Sequence, residues 1–180
     1  MPEKIILETQ RLYLREMTHG DIPELSAILQ DREVMYAYEH AFSDEEVLQW
    51  LENQINRYKI HGFGLWAVIL KDGGRFIGQC GLTVQSWNGR DVTEVGYLFN
   101  REYWHRGYAA EAAIACREYA FGVLGVPEVF SIIRSDNYPS QRTARRNGMS
   151  VRGETVKHYY GMDMPHIVFS VRAPDAGAGG

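Results

Sequence analysis

The apolar pattern of this chain passes from strand-like to helical period at Gly107, and that change limits what it can fold into. Before it, three runs, Trp66 to Lys71, Arg75 to Val84 and Val92 to Phe99, have the β-branched and aromatic character of strands. Asp72-Gly-Gly74 and Asn88-Gly89 separate them. Asn-Gly is a strong hairpin signal because both residues accept positive φ, so an antiparallel meander is expected. After the change, Ala109, Ala113, Cys116, Ala120 and Val123 recur at helical spacings, with Glu111 and Glu118 on the opposite side. A long helix with a face of small residues should lie close against the sheet that precedes it.

The flanking segments extend this plan. Arg11 to Glu16 alternates as a half-buried strand does, and Asp21-Ile-Pro-Glu24 resembles a capping box opening a helix whose apolar face is Ile22, Leu25, Ile28 and Leu29. A second box, Ser43 to Glu46, precedes Val47, Trp50, Leu51, Ile55 and Tyr58, again at helical spacing. An aromatic loop, Met35 to Phe42, joins the two helices. Downstream, Glu128 to Arg134 reads as a strand, Ser140 to Asn147 as a short helix ended by Gly148, and Val151 to Val156 and His166 to Arg172 as closing strands. The order implies an α+β fold with a mixed sheet.

At 180 residues the chain suits one domain, placed at residues 1–172, and the tail Ala173 to Gly180 offers nothing to pack and is expected to fray. Hydrophobic residues at 45% and charged residues at 23% exclude general disorder. A net charge of -4 supplies no basic field for a nucleic-acid backbone. No apolar stretch approaches the roughly 18 residues that span a bilayer, so a soluble, cytoplasmic protein without a membrane partner is expected. Cys80 and Cys116 lie in apolar surroundings and read as buried, reduced thiols, and the six histidines lack the clustered spacing of a metal site.

The chemistry concentrates in Glu94-Val-Gly-Tyr-Leu-Phe-Asn-Arg-Glu-Tyr-Trp-His-Arg-Gly-Tyr-Ala-Ala-Glu-Ala112, a strand running through a tight loop into the long helix. The first turn of a helix leaves N–H groups unpaired and carries about half a positive charge, so it can hold a pyrophosphate. Gly107, Ala109 and Ala110 are small enough to let a ligand reach that backbone. Alone, a glycine opening an alanine-rich helix is more often a packing device.

The run Tyr97 to Ala112 resembles the acetyl-CoA motif of the GNAT superfamily of N-acetyltransferases. Its Tyr-Trp-x-x-Gly-Tyr-Ala-x-Glu-Ala form resembles the branch containing the ribosomal-protein N-terminal acetyltransferases of the RimJ and RimL type. The likeness runs from Glu8-Thr-Gln-Arg-Leu-Tyr-Leu-Arg15 to the closing strands and includes Asn137-x-x-Ser140 before Gly148-Met149. It implies a twisted, mostly antiparallel sheet with helices on both faces, and a central parallel pair, Val92 to Phe99 and Glu128 to Arg134, that splays to admit acetyl-coenzyme A. On this resemblance the cofactor-binding positions are Tyr97, Leu98, Phe99, His105, Arg106, Gly107, Tyr108, Ala109, Ala110, Asn137, Ser140 and Arg142. Two residues depart from the pattern: Trp104 stands where many GNAT loops have Gln or Arg, and His105 where this branch often has Gly. Both keep their backbone N–H donors.

An N–H near Leu98 or Phe99 would then polarise the thioester carbonyl, and Glu94, which alternation puts on one face with Gly96 and Leu98, would serve as base for the incoming amine. The tyrosine that many GNAT enzymes place seven residues after the motif Asn is Ala144 here, which leaves Ser140 as acid for the departing thiolate or as a helix N-cap. Tyr36, Tyr38, Glu39 and Tyr159 are the candidates to line the acceptor groove. The expected acceptor is an amine, either a protein N-terminus or a small molecule such as a polyamine, amino sugar or amino acid, and the protein a monomer or homodimer. A non-catalytic coenzyme A-binding module is the competing class. A Rossmann-type dinucleotide protein fails because Gly-x-Gly-x-x-Gly is absent.

Overall fold

The computed structural model describes residues 3–38, 40–159 and 161–175. Its strands are β1 (Ile5–Glu8), β2 (Leu12–Arg15), β3 (Leu65–Leu70), β4 (Phe76–Trp87), β5 (Arg90–Phe99), β6 (Glu128–Arg134), β7 (Ser150–Tyr159) and β8 (Met162–Arg172). Among the described residues these form one eight-stranded sheet, ordered β1-β2-β3-β4-β5-β6-β8-β7. Every neighbouring pair is antiparallel except β5 and β6. The expected meander is β3-β4-β5, turned at its second hairpin by Asn88 and Gly89 at φ 51° and 72°. The parallel pair arises because α3 (Tyr108–Gly122) carries the chain back between β5 and β6.

Helices cover both faces. Side chains of β3 alternate between the two: Trp66 and Val68 pack with Ala112, Ala113, Cys116 and Ala120 of α3, while Leu65, Ala67 and Ile69 pack with α1 (Ile22–Leu29) and α2 (Asp44–His61). A strand buried on both sides reads as an unbroken apolar run, as this one does. The small side chains of α3 bring it onto the sheet closely enough for Cys116 Sγ to lie 3.7 Å from Cys80 Sγ of β4, both thiols buried and unbridged.

Two local expectations need correction, and one strand was not anticipated. Asp21 does not cap α1 with its side chain; its carboxylate accepts the Thr18 N–H at 2.8 Å and grips the Arg15 guanidinium through two bonds of 2.8 Å, closing a 3-10 turn instead. The short helix α4 (Tyr138–Arg146) starts before Ser140, and its N-cap is Asn137, whose Oδ1 accepts the Ser140 N–H at 3.3 Å. Strand β1, four residues long, is too short to show a period in sequence. The box at Ser43 and Glu46 is present as read.

Of the tail, residues 176–180 lie outside the described residues, while the Ala173 N–H donates to Pro127 O at 2.8 Å. Among the described residues no helix is long and apolar enough to cross a membrane, and no group of metal-ligating side chains converges.

Candidate active site

The site begins where the sheet comes apart. β5 pairs with β6 only at Thr93–Val129 and Glu94–Phe130, although its pairing with β4 continues to Phe99. Two side chains finish the seam. Ser131 Oγ donates to Val95 O at 2.9 Å, and the Ile132 N–H donates to Glu94 Oε2 at 2.7 Å, so each takes the place of a backbone bond that the parting strands no longer make. Beyond them the strands enclose a cleft of about 1010 Å³ that reaches from the N-terminus of α3 to β7 and α2.

Ladder parity decides which backbone groups face this gap. Asn100 donates to Ile77 O on β4, whereas Val95 O accepts from Ser131 on β6, so the even residues of β5 bond to β4 and the odd ones point at the gap. The sequence left Leu98 and Phe99 as alternatives for the donor. The Leu98 N–H belongs to the sheet, and those of Tyr97 and Phe99 face the cleft. Phe99 O is taken by Trp104 Nε1 at 2.9 Å, so the tryptophan that departs from the family pattern seals the end of the opening.

From Asn100 the chain makes a 3-10 turn and enters α3 through two left-handed residues, His105 at φ 63° and Gly107 at φ 81°. The first explains why glycine suits that position in similar loops, since a side chain is disfavoured there. Gly107, Tyr108, Ala109 and Ala110 line the cleft with the first turn of α3, and His105 and Arg106 are exposed beside it. Glu111 ties this turn down from behind. Its carboxylate accepts Thr9 Oγ1 at 2.7 Å, the Arg11 N–H at 3.0 Å and Arg11 Nε at 2.7 Å, while Arg11 stacks on the Tyr108 ring at 4.3 Å. Burial alone would raise the Glu111 pKa, but these hydrogen bonds outweigh it and hold the carboxyl below its ordinary value.

On the α3–α4 side, Tyr97 crosses from β5 and donates its hydroxyl to Ser140 O at 3.1 Å. Burial pushes this phenol far up, against hydrogen bonds with Thr143 and Ser140. Ser140 and Tyr97 thus come together, with Asn137 at the cleft wall; Arg142 is exposed at its rim.

On the other face, Glu94 looks towards α2. Burial raises its pKa, and the charge of Lys157, the Ile132 N–H and the charge of Arg57 pull it back only partly. The loop after α1 closes this side as a 3-10 turn, Met35–Tyr38. Arg134 donates to Tyr36 O at 3.2 Å, and Tyr38 meets Trp50 edge-on at 5.8 Å, so both tyrosines reach the cleft. Glu39 and the side chain of Tyr159 lie outside the described residues. Sequence reasoning passed over Arg57, Gln54, Thr83, Lys157 and His166, which line the same half. The Nδ1–H of His166 donates to Met164 O at 2.9 Å, and burial lowers the pKa of the ring. No local motif marks these residues, because they come from α2, β4, β7 and β8 and meet only when the sheet forms.

A strand that leaves its parallel neighbour beside a small-residue helix start is the arrangement that the resemblance implied. The GNAT acetyltransferase domain model matches residues 11–150, and the chain belongs to that family. It is 35% identical over 150 residues to YkkB of Bacillus subtilis, covering 83% of this chain and 87% of that one. It is 30% identical over 148 residues to YnaD of the same organism, an N-acetyltransferase by name, covering 82% and 84%. The solved structure of a RimL ribosomal L7/L12 α-N-protein acetyltransferase in complex with coenzyme A superposes with a TM-score of 0.76 at 16% identity, covering 94% of this chain and 98% of that one.

Proposed function

We propose that this acetyltransferase takes its acetyl group from acetyl-coenzyme A and delivers it to a primary amine, a protein N-terminal amine being the first acceptor to test. The observation that carries the reading is the opening between β5 and β6, which has backbone donors on one wall and the Glu94 carboxylate at its root. The residues present suit the cofactor. The first turn of α3, flanked by Gly107, Ala109 and Ala110, offers N–H groups and a positive dipole end to a pyrophosphate, and Arg142 and His105 line the same cleft, whereas Arg106 does not. The RimL neighbour binds coenzyme A on the same fold.

In this reading the N–H of Phe99 or Tyr97 donates to the thioester carbonyl oxygen as charge gathers there, a contribution of about 3–4 kcal/mol for one such donor elsewhere. The amine nitrogen attacks the carbonyl carbon, the C–N bond forms and the C–S bond breaks. Glu94 receives the proton that the amine gives up, directly or through water. Its raised pKa makes it a better acceptor than an exposed carboxylate would be. The sulfur leaves as thiolate, which thiol acidity near pH 8–9 makes tolerable, with Ser140, on the cleft wall, the candidate hydroxyl to hydrogen-bond it. Mixing the protein with acetyl-coenzyme A and a panel of amines while following free thiol tests the reading. Thiol release that requires an amine and yields its acetylated product supports it, and binding of the cofactor without release for any amine points to the non-catalytic module.

A further inference from the structure

The acceptor half of the cleft carries a charge imbalance. Glu94 is flanked by Arg57 from α2 and Lys157 from β7, both half-buried and both close enough to act on its carboxyl. Neither cation takes part in a salt bridge among the described residues. Among the described residues, Arg134 pairs with Asp136 at 2.9 Å and Glu33 with Arg101 at 2.9 Å. Arg57 is also held in place. Its Nη1 donates to Gln54 Oε1 at 3.2 Å, and that buried amide oxygen is itself fixed by the Leu65 N–H at 3.0 Å. Among the described residues of this half of the cleft, two cations stand against one carboxylate, which leaves one positive charge in excess.

We propose that the acceptor is an amine bearing a carboxylate close to its amino group, and that Arg57 and Lys157 receive that carboxylate while the amine faces Glu94. This inference rests on the acetyl-transfer reading and narrows its acceptor. A polyamine or a polycationic amino sugar would bring further positive charge to a site already in excess of it. An amino-carboxylate brings the missing anion. The two cations then do a second service, since positive charge beside a bound ammonium disfavours its protonated form, and the neutral amine is the form that attacks. The carboxylate belongs either to an acidic first residue of a peptide or to a small amino acid, and both present the same pair of groups.

The test compares matched acceptors in the thiol-release assay: a peptide beginning with Asp and its Asn counterpart, glycine and glycinamide, and spermidine. The carboxylate member of at least one matched pair is expected to exceed its neutral partner in kcat/KM by about tenfold or more, the effect of one charge-assisted hydrogen bond. Which pair responds identifies the source, peptide or free amino acid. Arg57→Gln and Lys157→Gln should each move that ratio towards one, and Lys157→Glu should invert it in favour of spermidine. Coenzyme A affinity, measured on each variant by calorimetry, reports that the fold is intact. Neutral partners or spermidine matching the carboxylate acceptors in the parent protein would overturn the inference while leaving acetyl transfer standing. A ratio unchanged in the Gln variants would overturn it equally. Release with no acceptor at all would overturn the acetyl-transfer reading and this inference with it.

Discussion

At one end of the cleft the groups that face a ligand are backbone donors from one continuous stretch, Tyr97 to Ala110; at the other they are side chains from α2, β5, β7 and β8. The first end needs a strand to end, a left-handed turn at Gly107 and a helix to start, all within a few residues. The second needs Arg57, Glu94, Lys157 and His166, spread over more than a hundred positions, to be brought together by the sheet. A site made of backbone tolerates change of side chain so long as φ and size are kept. A site made of side chains can exchange its residues one at a time, which suits the part of an enzyme that must vary with its substrate.

The largest effect expected from breaking this contrast is at Glu94, on the side-chain end. Glu94→Gln should lower kcat by about 10²- to 10⁴-fold, the usual worth of a general base, with acetyl-coenzyme A affinity nearly unchanged. Glutamine keeps an oxygen for the Ile132 N–H, so the seam between β5 and β6 survives and a merely structural role would leave the rate intact. The pH profile separates the two further. Because burial raises the Glu94 pKa, the parent should lose activity as pH falls through a value above that of an ordinary glutamate, and the variant should lack this limb. At high pH, where more amine is already neutral, the gap should narrow. A variant that matches the parent across the range would assign the proton to another group.

The same contrast explains what could be read in advance. The meander, α3 and β6 were legible because period, Asn88-Gly89 and Gly107 are local signals, and the resemblance of Tyr97 to Ala112 pointed to a stretch that does line the cleft. That the N–H groups of Tyr97 and Phe99, and not that of Leu98, turn to the cleft was not legible, since it depends on which edge of β5 meets β4, a property of the assembled ladder. Nor was the part Asp21 plays: its spacing to Glu24 fits a capping box, but the buried Arg15 guanidinium competes for the carboxylate and wins with two bonds. Arg57 and Lys157 carry no pattern at all. A single arginine on a helix and a single lysine on an edge strand look like any solvated surface until α2 and β7 face each other across Glu94.

The next effect sharpens the backbone end. Gly107 is a poor place to test it, because at φ 81° any side chain strains the helix start and a Cβ would stand 3.4 Å from the Arg11 guanidinium. Ala110, in the first turn and on the cleft, is better. Ala110→Glu adds an anion where the helix dipole welcomes one, so the fold should hold, yet it competes with the pyrophosphate for the same N–H groups. Coenzyme A affinity is expected to fall on the order of 10²-fold, the loss of one or two charge-assisted hydrogen bonds, with the melting temperature unchanged. Undiminished affinity measured by calorimetry in a folded variant would remove the start of α3 from the site.

The smallest effect asks how local that backbone end really is, because Glu111 fastens its first helical turn to the β1–β2 corner through Thr9 and Arg11. Glu111→Gln keeps the shape and one acceptor oxygen but turns an amide N–H₂ towards the Arg11 guanidinium. With Arg11 partly exposed, the cost at neutral pH should be about 1–2 kcal/mol of unfolding free energy rather than that of a fully buried pair. The sign of its pH dependence follows from the lowered carboxyl pKa. Folding favours the ionised form, so the contribution is fully present above the unfolded value of about 4.3 and is lost as pH falls through the lower folded value. Denaturant curves for parent and variant should therefore lie apart at pH 7 and converge in acid, where the parent is itself protonated. A separation that persisted unchanged at low pH would mean that Glu111 acts by shape alone. In that case the ion pair with Arg11 would not be what holds the helix start against the sheet.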